Sequence, residues 1–258
     1  MNGLIPAICG FAYGTSSVIV GQPLETIKTQ MQTQNKKSII GTASNILKNE
    51  GLLGLYRGGI PLILGGSLIR SAQFGVYDNV FAYLNKNEYG FKVFGLMDSN
   101  IIVAGVCGGL GRGAVEGPFE YIKVRQQVKT GWKFKEMFHG YGTTMFRNSL
   151  LFSTFVMYID LSKQLIPGGL SPFFTGAICS SLGWLTVWPL DVVKSRVQSG
   201  LYPDKSSVHI LSDIARNNPR QLLSGIVPGL MRSSIANGCS MFIYKKIEVI
   251  LKEYSNSN

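Results

Sequence analysis

Three times in 258 residues a proline, an acid and a lysine recur at one spacing. Pro23-Leu-Glu25-Thr-Ile-Lys28 is repeated as Pro118-Phe-Glu120-Tyr-Ile-Lys123 and as Pro189-Leu-Asp191-Val-Val-Lys194. At ordinary residue usage one such match is expected on the order of once in a few thousand residues, so three in one short chain mark an internal repeat. An acid and a lysine three apart lie on one helix face and can pair locally. Local pairing would explain one copy but not the retention of all three. Pairing between copies is the alternative, each acid reaching the lysine of a neighbouring repeat. Four residues beyond each lysine, on its face, stand Gln32, Gln127 and Gln198. No Ser-His-Asp set, phosphate-binding loop or metal-ligand cluster accompanies these residues, so enzymatic chemistry, a cofactor and a metal are not expected.

The elements that carry these charges are long and apolar. Runs at about 4–33, 59–84, 100–128, 143–165, 170–199 and 225–252 are each long enough to cross a bilayer as a helix. Thirteen residues before each motif proline lies Gly10, Gly105 or Gly176, and nine before lies Gly14, Gly109 or Ser180. Small residues four apart let helix backbones approach closely. A second run in each repeat starts near Gly58, Gly140 and Gly225, and short amphipathic stretches lie within 36–57 and 204–218. The expected fold is an all-α membrane protein, six transmembrane helices in three tandem helical hairpins. Residues 1–258 form one domain, with repeats at about 1–90, 96–167 and 168–258.

Composition agrees. Charged residues are 15% of the chain, below the roughly 25% of soluble domains, and there are 31 glycines. A mean hydropathy of +0.18 fits helices with one lipid-facing and one polar side. The net charge of +11 fits either nucleic acid or anionic lipid. Lys36-Lys37 is a short cluster, matched only by the pair Lys245-Lys246, and no basic stretch is interleaved with aromatics, so nucleic acid is not an expected partner. Cys9, Cys107, Cys179 and Cys239 lie in Gly-rich apolar segments and read as packing residues. The start, Met1-Asn2-Gly3, shows no basic leader or Arg-rich presequence.

The threefold Pro-x-[Asp/Glu]-x-x-Lys pattern, at the end of each odd-numbered run, resembles the signature of the mitochondrial carrier family. The resemblance covers essentially the whole chain. It implies six transmembrane helices with pseudo-threefold symmetry, short matrix-side helices, multi-pass placement in the mitochondrial inner membrane, and alternating access to one central site. It makes Glu25, Lys28, Glu120, Lys123, Asp191 and Lys194 a matrix gate, with Gln32, Gln127 and Gln198 bracing the closed pairs. A cytoplasmic gate would use Asp78, Asp160, Lys163 and Lys245. That gate is irregular, because Phe81 stands where a lysine is expected and Lys245–Glu248 reverses the signs.

In the family, the residues seven beyond each even-helix glycine contact the substrate. Here they are Gly65, Arg147 and Arg232, with Arg70 nearby and Asn148 beside Arg147. Two arginines facing a cavity without nearby acids call for an anionic ligand, since guanidinium pairs bidentately with carboxylate or phosphate. Arg followed by a polar amide implies a keto acid or other small carboxylate. Amino acids or a carnitine-like solute form the alternative class. Membrane lipids, cardiolipin among them, are expected partners. The middle repeat is short: from proline to glycine it runs from 118 to 140, against 23 to 58 and 189 to 225. About a turn or more of its matrix helix must be missing. A second function therefore stays open, a carrier-fold structural subunit of a larger inner-membrane complex.

Overall fold

The computed structural model describes the backbone of residues 4–36, 38–93, 97–166, 172–202 and 205–257; some side chains in these spans, Lys245 and Glu248 among them, lie outside the described residues. Six long helices dominate: α1 (Leu4–Gln34), α3 (Gly59–Lys86), α4 (Ser99–Val128), α5 (Tyr141–Leu165), α6 (Pro172–Ser199) and α8 (Ile226–Ser257). Short α2 (Ile39–Glu50) follows α1, and α7 (Ser207–Asn217) follows α6. A small antiparallel hairpin, β1 (Lys92–Val93) with β2 (Met97–Asp98), joins α3 to α4. The long helices stand in a ring in chain order, and α8 closes it against α1.

At 1.5 Å per residue the long helices, 25 to 32 residues each, reach about 37–48 Å, beyond the roughly 30 Å of a hydrocarbon core. Among the described residues, however, no helix is long and apolar enough by itself to cross a membrane. The runs expected to span a bilayer thus have the expected length but a lower hydropathy, because charges, amides and hydroxyls occupy their buried faces. Buried polar side chains outnumber buried apolar ones at the motif end of the ring. Large apolar side chains such as Leu68, Val103, Phe146, Leu185 and Phe242 face outward. That inverted distribution suits a lipid solvent.

Two short helices are held by apolar contacts. Ile46 of α2 packs on Ile27 and Met31 of α1, and Ile210 and Ile214 of α7 pack on Val193 and Val197 of α6. Ser38 and Ser206 cap them by accepting from Gly41 and His209 backbone N–H groups. After the second motif the shortening, expected at about a turn or more, removes the short helix altogether. Only a 3₁₀ turn, Phe134–Glu136, lies between α4 and α5, where the others have helices of 12 and 11 residues.

Glycine sets the closest approach. Along α4, Gly105, Gly109, Gly113 and Gly117 face Ser153, Ser149, Met145 and Tyr141 of antiparallel α5. A Cβ at Gly105 or Gly113 would lie 2.8 or 2.7 Å from a backbone Cα of α5, a contact that only glycine avoids. Gly10, Gly14 and Gly176, expected to serve likewise, lie outside the described side chains.

Candidate functional site

The three motifs meet. Lys123 Nζ on α4 donates to Glu25 Oε1 on α1 at 2.7 Å, and Lys28 Nζ on α1 lies 2.7 Å from Asp191 Oδ2 on α6. Lys194 on α6 pairs with Glu120 on α4. These links close a cycle through α1, α6 and α4. All six residues are buried, 1% to 7% exposed. The i,i+3 distances within a motif are longer, 4.0 Å for Glu25–Lys28 and 3.4 Å for Glu120–Lys123. Pairing between helices therefore prevails over local pairing here.

The glutamines divide. Gln32 Nε2 donates to Asp191 Oδ2 at 3.0 Å, and its carbonyl accepts from Ser195. Gln127 and Gln198 do not touch the pairs; their amides donate to Thr26 and Thr144, at 3.2 and 2.9 Å.

A second cycle, not foreseen from the sequence, lies just beyond the first. Gln30 Nε2 donates to the Gln127 backbone carbonyl at 3.3 Å, Arg125 Nε to the backbone carbonyl of Gln198 at 3.0 Å, and Arg196 Nε to that of Gln32 at 2.9 Å. Each donor is two residues after a motif lysine, so a long polar side chain at one offset in all three repeats was the available signal. The glycines leading α3, α5 and α8 make a third set of equivalent contacts. Gly58, Gly140 and Gly225 have φ of 74°, 73° and 72°. Each abuts the next odd helix in the ring, at Lys123, at Val197 and Gln198, or at Lys28. Left-handed φ favours glycine at all three, and at Gly58 and Gly225 a Cβ would also lie 2.8 and 3.0 Å from the backbone oxygens of Lys123 and Lys28.

Above the ring the contact positions are more heavily paired than expected. Arg147 Nε and Nη2 donate to Asp191 Oδ1 at 2.9 and 2.6 Å, and Nη1 donates to Asn148. Arg232 Nε lies 3.4 Å from Glu25 Oε2, an electrostatic contact short of hydrogen-bond geometry. The expectation of two arginines without nearby acids is therefore corrected: a guanidinium drawn away from water takes a neighbouring carboxylate, here Asp191 for Arg147 and Glu25 for Arg232. Gly65 is covered by the Phe119 ring, and Arg70 is exposed. Trp184 and Trp188 add cation–π contacts, Lys28 lying 4.9 Å from each ring and Arg147 5.1 Å from Trp184.

Two charged residues escaped the sequence reading. Arg112 Nε and Nη2 on α4 hold Glu116 at 2.6 and 3.0 Å, and Asn148 Nδ2 donates to Glu116 at 2.8 Å. An i,i+4 charge pair within the apolar run 100–128 was the signal available. Counting this pair, six cations (Lys28, Lys123, Lys194, Arg112, Arg147, Arg232) meet four acids (Glu25, Glu116, Glu120, Asp191). Among these described residues the positive charges exceed the negative by two.

At the other end the charges stand apart. Among the described residues no ion pair joins Asp78, Asp160 or Lys163; Asp160 accepts from Gln164 at 2.9 Å, and Asp78 and Lys163 are exposed. The side chain of Lys245, the fourth expected member, lies outside the described residues. Away from the ring, a polar cleft of about 210 Å³ lies between the ends of α1 and α4 and helix α2. Lys36 lines it, and burial holds its amine below the usual lysine range, Glu50 opposing and Lys129 reinforcing the shift.

Comparison with known proteins agrees with this architecture. The family model described as mitochondrial carrier protein matches residues 2–88 and 166–255, more than half of the chain. A protein named mitochondrial ornithine transporter 1, from Schizosaccharomyces pombe, is 29% identical over 89% of this chain and 86% of its own length. Carrier protein YMC2, mitochondrial, from Saccharomyces cerevisiae, is 29% identical over 93% of this chain and 86% of its own. The glutamate/glycine mitochondrial carrier ymc1 of Schizosaccharomyces pombe is 24% identical over 93% and 92%. The chain belongs to the mitochondrial carrier family. It is a multi-pass solute carrier of the mitochondrial inner membrane, in a family of transporters.

Proposed function

We propose that this carrier moves a small carboxylate anion by alternating access, through a bundle of six transmembrane helices arranged as three repeats, about 1–90, 96–167 and 168–258. The cycle of Glu25, Lys28, Glu120, Lys123, Asp191 and Lys194 is the matrix gate, held shut, while Asp78, Asp160, Lys163 and Lys245 belong to a cytoplasmic gate standing open. Arg147 and Arg232 are the cargo contacts, with Asn148 beside them. The observation that carries the reading is the excess of two cations in the polar centre. Buried surplus charge is costly until an opposite charge joins it, so an anion binds best. A cargo carboxylate that takes Arg147 from Asp191 also loosens the matrix ring, so binding favours opening by its differential affinity for the two states.

One observation favours a second reading. Glu116 stands behind Asn148 and puts a negative charge near Arg147, as the grip of an amino acid would need. Relatives named for ornithine and for glutamate and glycine lean the same way. Uptake into liposomes of the purified protein, across keto acids, di- and tricarboxylates, amino acids, carnitine and nucleotides, separates the two. Transport of carboxylates lacking an amine supports the first reading; transport confined to amine-bearing solutes replaces it with the second. No uptake of any solute would leave a structural role.

A further inference from the structure

The contact position of the first repeat offers a ligand no polar group. A Cβ at Gly65 would lie 3.0 Å from ring atoms of Phe119, so the site there is filled by α4 itself. Charge is supplied from the same helix two turns earlier. Arg112 holds Glu116 by two nitrogens, and its Nη1 reaches Gln73 Oε1 on α3 at 3.3 Å. Glu116 accepts in turn from Asn148, and Asn148 accepts from Arg147. A hydrogen-bonded chain thus runs from Gln73 through Arg112, Glu116, Asn148 and Arg147 to Asp191, across α3, α4, α5 and α6.

The two guanidiniums on this chain differ in access. The Arg147 side chain is 5% exposed and that of Arg112 is 20% exposed. Three of the five N–H groups of Arg112 are engaged in these bonds. A purely structural pair would be complete with Glu116. The continuation through Asn148 to Arg147 instead ties Arg112 to the contact position.

The geometry points to Arg112 as the receptor for a second carboxylate, which makes the cargo a dicarboxylate. One cargo carboxylate takes Arg147 from Asp191, and the other takes Arg112 from Glu116. Asp191 then keeps Lys28 and Gln32, whereas Glu116 keeps the Asn148 amide alone, a cost that the second cargo carboxylate outweighs by pairing with Arg112. The two negative charges of the cargo equal the cationic excess. This inference rests on the reading of Arg147 as a cargo contact, and the test separates the two.

Liposome uptake is measured for matched solutes with and without the second carboxylate: 2-oxoglutarate against 2-oxobutyrate, malate against lactate, and glutamate against 2-aminobutyrate. The wild-type protein is expected to favour the diacid of at least one pair by about tenfold or more in kcat/KM. Arg112→Gln is expected to cut that preference by about tenfold, with Arg112→Lys intermediate, because a point charge replaces a bidentate fork. Glu116→Gln keeps the shape, frees Arg112, and should lower KM for the diacid, so the assignment is testable even where Arg112→Gln does not fold. A diacid preference equal in wild type and Arg112→Gln, or a KM unmoved by Glu116→Gln, overturns it. If Arg147→Gln transports both members of each pair at wild-type rates, the contact reading beneath it fails instead.

Discussion

Arg147 places two nitrogens on a single oxygen of Asp191, at 2.9 and 2.6 Å, while Lys28 lies 2.7 Å from the other oxygen. One carboxylate therefore belongs both to the motif ring and to the contact layer above it. Removing Arg147 should act on both. Arg147→Ala is expected to lower uptake of the physiological cargo by at least about tenfold. It should also destabilise the detergent-solubilised protein by about 3–5 kcal/mol, the usual result of breaking a buried pair. Uptake kinetics and thermal melting measure the two effects. Unchanged uptake would remove Arg147 from the site.

The distances within the ring make a ranking. Glu25 is 2.7 Å from Lys123 on the neighbouring helix and 4.0 Å from Lys28 in its own motif. Double-mutant cycles with glutamine at each position should give the Glu25–Lys123 pair about 1–3 kcal/mol of coupling and the Glu25–Lys28 pair clearly less. A larger coupling for the local pair would mean that each motif is an independent i,i+3 pair and that the ring has no energetic reality.

Glycines on α4 and α5 should respond oppositely to one added methyl group. At Gly109 a Cβ would lie 2.5 Å from the Asn148 carbonyl oxygen and 2.7 Å from the Ser149 nitrogen, where backbone cannot yield cheaply. Gly109→Ala is expected to cost about 1–3 kcal/mol, as overpacking does. At Gly142, in the first turn of α5, nothing lies within 4 Å. Gly142→Ala should be neutral or stabilising by up to about 1 kcal/mol, because alanine favours the helix. Equal melting temperatures for the two variants would refute the close α4–α5 approach.

What the sequence conveyed depended on repetition. The six motif charges recur at one spacing, and Gly58, Gly140 and Gly225 each lead the apolar run that follows a motif, so copies corroborate one another, and the structure brings each set into equivalent contacts. Residues that break the repeat had no such support. Arg112 and Glu116 occur in one copy only, and their role depends on Asn148 and Gln73 from other helices, which no spacing in α4 reveals. The pairing of Arg147 with Asp191 was hidden for the same reason, since 44 residues separate them and the motif lysines compete for the same acid. The loss of the middle short helix was partly written in α4 itself. Ile27 with Met31, and Val193 with Val197, supply the apolar seats for α2 and α7, whereas the corresponding middle positions are Ile122 and Gln126. A glutamine in that seat leaves an amphipathic helix little to bury.

With no helix to cover it, the 129–140 segment is tied by polar side chains: Thr130 donates to the Ser199 backbone carbonyl at 2.6 Å, Tyr121 to Glu136 at 3.2 Å, and Lys129 lies 2.6 Å from Glu50, while Arg125 makes the largest set of links. Arg125 donates to the Gln198 carbonyl at 3.0 Å, to the Gly131 carbonyl at 3.5 Å and to Glu136 at 3.2 Å, and its guanidinium lies 5.1 Å from the Tyr121 ring. It thereby fastens the 129–140 segment to α4 and to the end of α6. The corresponding Arg196 shares its task with α7, whose apolar face holds the equivalent segment in the third repeat. Arg125→Ala should therefore loosen the segment, at a cost of about 2–4 kcal/mol for several hydrogen bonds to a charged group. Arg196→Ala should leave its segment seated. Limited proteolysis with a lysine-specific protease reads the difference, since Lys133 and Lys135 lie in the freed segment. Cleavage there should rise at least about tenfold in Arg125→Ala, following the population of the opened form. Cleavage no faster than in the wild type would show that Thr130, Tyr121 and Lys129 hold the segment without the arginine.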